Sequence, residues 1–234
     1  MTADGELIRE ITERLEQVYG QAEWRPHGLP VEELVGCILS QHTSDVNSTR
    51  AFAALQERYP EWRQIIDAPT EEVAKTIRSG GMPNQKARRI QEVLRLLQNE
   101  TGEVSLDALS SMTDEEARRY LMSLPGVGPK TAAIVLCFSL GRPVIAVDTH
   151  VFRVAWRLGL IEKRIGEARA HDVLQSLAPG ELVYRFHMAL IRHGRAVCKA
   201  PVPRCGQCVL TDICRYYQTL KNQNPQFEKE EPLR

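Results

Sequence analysis

Four of the six cysteines stand close together near the C-terminus, as Cys198, Cys205, Cys208 and Cys214 in VCKAPVPRCGQCVLTDIC, a C-x6-C-x2-C-x5-C array. Such clustering suits one metal centre, because a reducing compartment keeps thiols from pairing as disulfides. Zinc sites usually show two short C-x2-4-C pairs and this array has one, while an iron-sulfur cluster, also held by four thiolates, tolerates longer spacers. The spacing leans toward iron-sulfur and leaves zinc open. Cys37 in LVGCIL and Cys137 in AIVLCFSL lie in apolar runs and read as buried core thiols.

A second constellation lies in TDEEARRYLMSLPGVGPKTAAIVLCFSLG, which reads as helix, tight turn, helix, with the turn at Leu124-Pro125-Gly126-Val127-Gly128. Glycines at alternate positions let the backbone bend sharply and approach a ligand closely. The helix that starts at Pro129-Lys130 points its first amides out of the turn, an arrangement suited to a phosphate. Lys130 is placed against the grain. A cation in the first helical turn opposes the macrodipole at a cost of about 0.3–1 kcal/mol, and both that field and partial burial favour the neutral amine. A neutral lysine amine is a nucleophile for carbon electrophiles.

Asp148 in GRPVIAVDTH offers a carboxylate to work with that amine. A helix over 130–140 rises about 16 Å, and the extended chain from Arg142 to Asp148 spans about 20 Å. The chain therefore has the reach to double back and bring Asp148 beside Lys130, although nothing in the sequence compels it. Asp148 also stands where the following helix wants an N-cap acceptor, and one carboxylate can hold both posts.

The elements that must position these groups are helical almost throughout. Apolar residues recur at three- and four-residue spacing with no convincing strand alternation. Helices are expected over 5–19, 31–41, 45–58, 70–79, 84–99, 114–122, 130–140, 149–158, 166–177 and 181–193. Thr113 with Glu116 has capping-box spacing, and Pro129 suits a first helical position. The end segment KNQNPQFEKEEPLR is too poor in apolar residues to pack and reads as a disordered tail over 221–234.

With 234 residues, 43% of them hydrophobic and 26% charged, the chain is an ordinary globular protein able to build a core without disulfides. No apolar stretch approaches the roughly 20 residues that span a bilayer, and the start lacks a secretory pattern. A cytoplasmic protein without a membrane role is expected. Thirty basic residues cancel thirty acidic ones, so no global field draws the molecule to a polyanion. Locally the balance is uneven: positions 182–211 hold Arg185, Arg192, Arg195, Lys199 and Arg204 and no acid.

The combination of LPGVGPKTA, AVDTHVFRV, IRHGRAVC and the four-cysteine loop, in this order and spacing, resembles the endonuclease III family of DNA glycosylases from about residue 31 to residue 217. The resemblance implies an all-α, two-lobed helix-hairpin-helix DNA glycosylase fold. A six-helix barrel would occupy 30–142, and 1–29 with 143–220 would form the cluster lobe. It implies a 4Fe-4S cluster on Cys198, Cys205, Cys208 and Cys214, with Lys199 and Arg204 in the ligand loop touching DNA phosphates. It further implies a monomer acting on double-stranded DNA that carries damaged bases or abasic sites. Lys130 would be the nucleophile and Asp148 its acid-base partner, excising oxidised pyrimidines and cutting the strand. Adenine-mismatch glycosylases, similar in motif and cluster, lack this lysine, so a bifunctional enzyme is expected.

Departures fall on the segments expected to fill the hole left by an extruded nucleotide. The family's LSAQATD reads LSQHTSD here, so His42 stands in the intercalating glutamine's place with Gln41 beside it, and GLYN becomes Gly81-Met82-Pro83-Asn84. Gln41, His42 and Met82 are therefore candidate DNA contacts together with Gly126, Val127 and Gly128, Met82 as an apolar wedge. A module that binds lesions without turnover is the rival class, but it would need neither Lys130 nor Asp148.

Overall fold

A computed structural model describes residues 3–223. Twelve α-helices carry the fold among these residues: α1 Ala3–Tyr19, α2 Pro30–Ser40, α3 Asp45–Arg58, α4 Trp62–Asp67, α5 Thr70–Thr76, α6 Pro83–Thr101, α7 Asp114–Ser123, α8 Pro129–Ile134, α9 Thr149–Leu158, α10 Gly166–Leu177, α11 Val183–Ala196 and α12 Arg215–Gln223. The described residues contain no strand. The chain divides into two compact units: Arg25–Arg142, and the chain up to Trp24 together with the chain from Pro143. The first boundary thus lies at Trp24 rather than at residue 29.

Helix starts follow local chemistry. Thr113 Oγ1 accepts from the Glu116 amide at 3.3 Å while Glu116 Oε2 accepts from the Thr113 amide at 2.9 Å, a reciprocal capping box for α7. Pro129 takes the first position of α8, where its missing N–H costs nothing. The helix expected over 130–140 is α-helical only to Ile134 and continues as a π-helical turn over Val135–Ser139, all five residues buried. An apolar run of this kind carries no periodicity that would separate the two forms. Lys221–Gln223, the first residues of the expected tail, complete α12 instead. Positions 224–234 of that expectation lie outside the described residues.

In the unit built from the chain's two ends, Ile8, Ile11 and Leu15 of α1 pack with Val151, Val154 and Leu158 of α9 and with Val183, Phe186 and Leu190 of α11. The other unit buries Leu34, Val35 and Ile38 of α2 and the stripe Ile90, Val93, Leu94 and Leu97 of α6. Among the described residues, no helix is long and apolar enough to cross a membrane.

Candidate active site and metal centre

The hairpin is formed by α7, the bend Leu124–Gly128 and α8. The Val127 amide donates to Leu124 O at 3.1 Å, closing the bend, and Gly126 adopts φ +73°. A Cβ on Gly126 would lie 2.1 Å from Arg89 Nε. Gly126→Ala is therefore expected to lower stability by at least about 1–2 kcal/mol, the left-handed cost alone, measured by chemical denaturation. Gly128 caps α8, and Val127 buries its side chain at 7% exposure. Lys130, the second residue of α8, is exposed rather than partly buried. Its charge opposes the burial and the Glu33 charge that together push the Cys37 thiol up to about 12, which places the amine's field at α2. Burial likewise pushes Cys137 up to about 12, so both thiols are inert core groups.

The two loops named for DNA contact lie in the same unit as the hairpin. His42 and Met82 adopt positive φ, 52° and 46°, and both are exposed. Gln41 differs. Its Nε2 donates to Gly126 O at 3.1 Å and its Oε1 accepts from Arg89 Nη1 at 2.9 Å, so both ends of the amide are engaged within the protein.

Asp148 belongs to the other unit. It caps α9: Oδ1 accepts from the amides of His150 at 2.9 Å and Val151 at 2.8 Å, while Oδ2 accepts no hydrogen bond among the described residues. The buried lead-in, Ile145–Val147, has its backbone satisfied by side chains. The Ile145 amide donates to Gln175 Oε1 at 2.8 Å, the Val147 amide to His171 Nε2 at 3.0 Å, and Ala146 O lies 2.8 Å from His187 Nδ1. With Nε2 accepting, His171 Nδ1–H donates to Glu167 O at 2.9 Å, which requires the neutral ring. His171→Leu strands the buried Val147 N–H and is expected to cost about 1–3 kcal/mol, read as a lower urea midpoint.

The four cysteines line one pocket with Arg157, His193 and Tyr216, all in the unit that carries Asp148. None is in a disulfide. Among the described residues no three His, Cys, Asp or Glu side chains are grouped so as to hold a single metal ion. Arg157 Nη1 donates to Cys198 Sγ at 3.3 Å and to Lys199 O at 2.8 Å, and its guanidinium lies 5.0 Å from the Tyr216 ring. Its buried Nε has no hydrogen-bond partner. His193 Nε2 stands 3.5 Å from Cys208 Sγ with Tyr19 Oη on Nδ1 at 3.1 Å, and burial pushes this imidazole down to about 4.

Burial, then the neighbouring thiols, pushes Cys205 up, and burial drives Cys208 up to about 12. Thiols in this position become ligands only when a cation among them offsets both the burial and the mutual repulsion. A buried guanidinium that donates to Cys198 Sγ in a pocket lined by all four cysteines fits a metal group whose thiolates carry net negative charge. Lys199 is half-buried and Arg204 exposed; neither side chain has a hydrogen-bond or ion-pair partner among the described residues.

Arg153, Arg157 and Lys86 were not among the candidates read from the sequence. Arg153 Nε donates to Cys198 O at 2.8 Å and its Nη2 to Gly194 O at 2.9 Å, joining α9 to the ligand loop. The one signal for the arginines is their i,i+4 spacing in a helix rich in apolar residues.

Residues 35–179 match the family model described as HhH-GPD superfamily base excision DNA repair protein. The chain is 34% identical to the endonuclease III of Thermotoga maritima over 91% of its own length and 92% of the relative's. It is 37% identical to the Escherichia coli K12 endonuclease III over 80% and 84%. A solved structure of a trapped endonuclease III–DNA covalent intermediate superposes with a TM-score of 0.78 at 32% identity, covering 94% of this chain and 99% of that one. A thermostable thymine-DNA glycosylase, at 22% identity and TM-score 0.77, shares the fold. The chain belongs to the HhH-GPD superfamily of base excision DNA repair proteins and, within it, to the endonuclease III family.

Proposed function

We propose that the protein, a DNA glycosylase of base excision repair, removes oxidised pyrimidines from double-stranded DNA and nicks the strand through a Schiff base on Lys130. The observation that carries this reading is an exposed lysine in the first turn after the Gly126–Gly128 bend, in a chain of this family. A base inside a duplex is out of reach, so the target nucleotide is extruded first, at least cost where damage has weakened stacking. Lys130 Nζ then attacks C1′ of the deoxyribose; the glycosidic bond breaks and the base leaves with its electron pair, taking up a proton. Asp148 accepts the proton lost by the amine or stabilises the cationic sugar, through an Oδ2 that no backbone amide occupies. Ring opening gives the imine, loss of the C2′ proton follows, and the 3′ phosphate departs.

Cys198, Cys205, Cys208 and Cys214 would hold a 4Fe-4S cluster, which supplies a redox-capable cross-link between the segments that carry them. The chain's own residues then do the binding: Lys199 and Arg204 offer charge to phosphates. Purified protein is expected to contain iron and acid-labile sulfide in equal amounts; stoichiometric zinc instead would contradict this assignment.

A panel of duplexes tests the function. Thymine glycol is expected to be released with strand cleavage, and undamaged thymine is not. Tight binding of the same duplexes without base release would mark a lesion-binding module and overturn the reading.

A further inference from the structure

Two exposed residues that are not glycine, His42 and Met82, hold a left-handed backbone that L-residues disfavour. Met82 is 43% exposed, so side-chain packing does not account for its conformation. Strain of this kind persists only where the surroundings impose it. The imposing contacts come from one face of α6.

Lys86 is 1% exposed, and its Nζ donates to Leu39 O and to Gly80 O, each at 2.7 Å. Leu39 lies in the last turn of α2, where carbonyls lack helical partners. Gly80 ends the short turn that precedes Gly81 and Met82. One buried amine thus ties the stems of both strained loops. A Cβ on Gly80 would lie 3.1 Å from Ala51 Cβ, so the turn is also packed tightly against α3. Three residues further along α6, on the same face, Arg89 grips Gln41 Oε1 while Gln41 Nε2 holds Gly126 O of the hairpin.

We infer that Lys86, assisted by the Arg89–Gln41 bridge, is the positioning residue that sets loop 39–42, turn 80–82 and hairpin 124–128 in a fixed mutual arrangement for insertion into lesion-bearing DNA. The inference rests on the glycosylase function proposed above. It gives Gln41, one of the departures from the family pattern, a part in aiming its neighbour His42 and the hairpin rather than in filling the gap itself. Burial pushes the Lys86 amine below its ordinary value, the expected cost of withdrawing a cation from water. An apolar side chain would avoid that cost and would leave two carbonyls unheld.

The test compares the full-length wild type with Lys86→Met and Gln41→Ala. Amide exchange in the free protein is expected to rise in 39–44 and 79–84 for Lys86→Met, and in 39–44 and 124–128 for Gln41→Ala. Affinity for a duplex bearing a tetrahydrofuran abasic analogue is expected to fall about tenfold or more for Lys86→Met, on the scale of lost charge-assisted hydrogen bonds, and less for Gln41→Ala. For Lys86→Met, cleavage at an abasic site in single-stranded DNA, which needs no wedge, should stay within about twofold of wild type, well under the tenfold that a 1.4 kcal/mol change produces. Unchanged duplex affinity, or equal loss of both activities, would overturn the inference. Should Lys86→Met fail to fold, Lys86→Gln, which offers the two carbonyls only a shorter, uncharged donor, carries the same comparison. A wild type without lesion-dependent binding defeats the function proposed above, and the exchange data then decide by themselves whether Lys86 holds the two loops.

Discussion

Lys130→Ala is expected to abolish the borohydride-trapped adduct with abasic DNA and to slow strand cleavage at least about a thousandfold, as removal of a covalent nucleophile does. The same substitution is expected to leave the fold slightly more stable. Lys130 sits at the second position of α8 with its charge against the positive end of the helix, so deleting it relieves about 0.3–1 kcal/mol. Alanine is also the better helix former. A variant that is inactive and more resistant to urea separates a residue kept for chemistry from one kept for structure. Parallel loss of activity and stability would point instead to a structural lysine.

Asp148→Asn makes the second large effect, and it divides the two posts that this carboxylate holds. Asparagine caps a helix about as well as aspartate, so its Oδ1 can still accept from the His150 and Val151 amides. Only the charge is lost, and with it the favourable interaction with the α9 dipole, about 0.3–1 kcal/mol. Base excision, by contrast, is expected to fall about a hundredfold or more, the usual range for a removed acid-base group. Asp148→Ala removes cap and charge together and should cost about 1–2 kcal/mol of stability, with no further loss of rate beyond that of Asp148→Asn. Measuring excision rate and urea midpoint on both variants distinguishes the posts.

What could be read in the chain beforehand depended on whether local chemistry sufficed. Thr113 and Glu116 form their capping box because three residues of spacing determine it, and Asp148 caps α9 for the same reason. The Gly126 and Gly128 spacing predicts the bend from local chemistry alone. Other features lay beyond a single-chain reading. Helix α4 is only six residues long and buries just Ile65 and Ile66, and α12 buries no residue, so neither leaves an apolar stripe. The π-helical turn hides inside a uniformly apolar run.

The site shows the same division. Gln41 reads in the sequence as a candidate DNA contact, while its engagement by Arg89 and Gly126 spans long sequence separations that no local pattern encodes. Lys86 had a faint signal: it falls on the stripe continued by Ile90, Val93 and Leu97, where a charge is out of place. Reading that misfit as an anchored amine required the carbonyls of Leu39 and Gly80, which belong to other elements. Arg157 is the same case at the cysteines, a cation whose purpose is visible only once Cys198 is found against it.

The central claim is that one amine makes and breaks the covalent bond to sugar. Incubating the protein with a thymine glycol duplex, reducing with borohydride and mapping the modified peptide by mass spectrometry tests it directly. The account predicts a deoxyribose remnant on Lys130 alone. Base release with no adduct, or a remnant on any other amine, would contradict it.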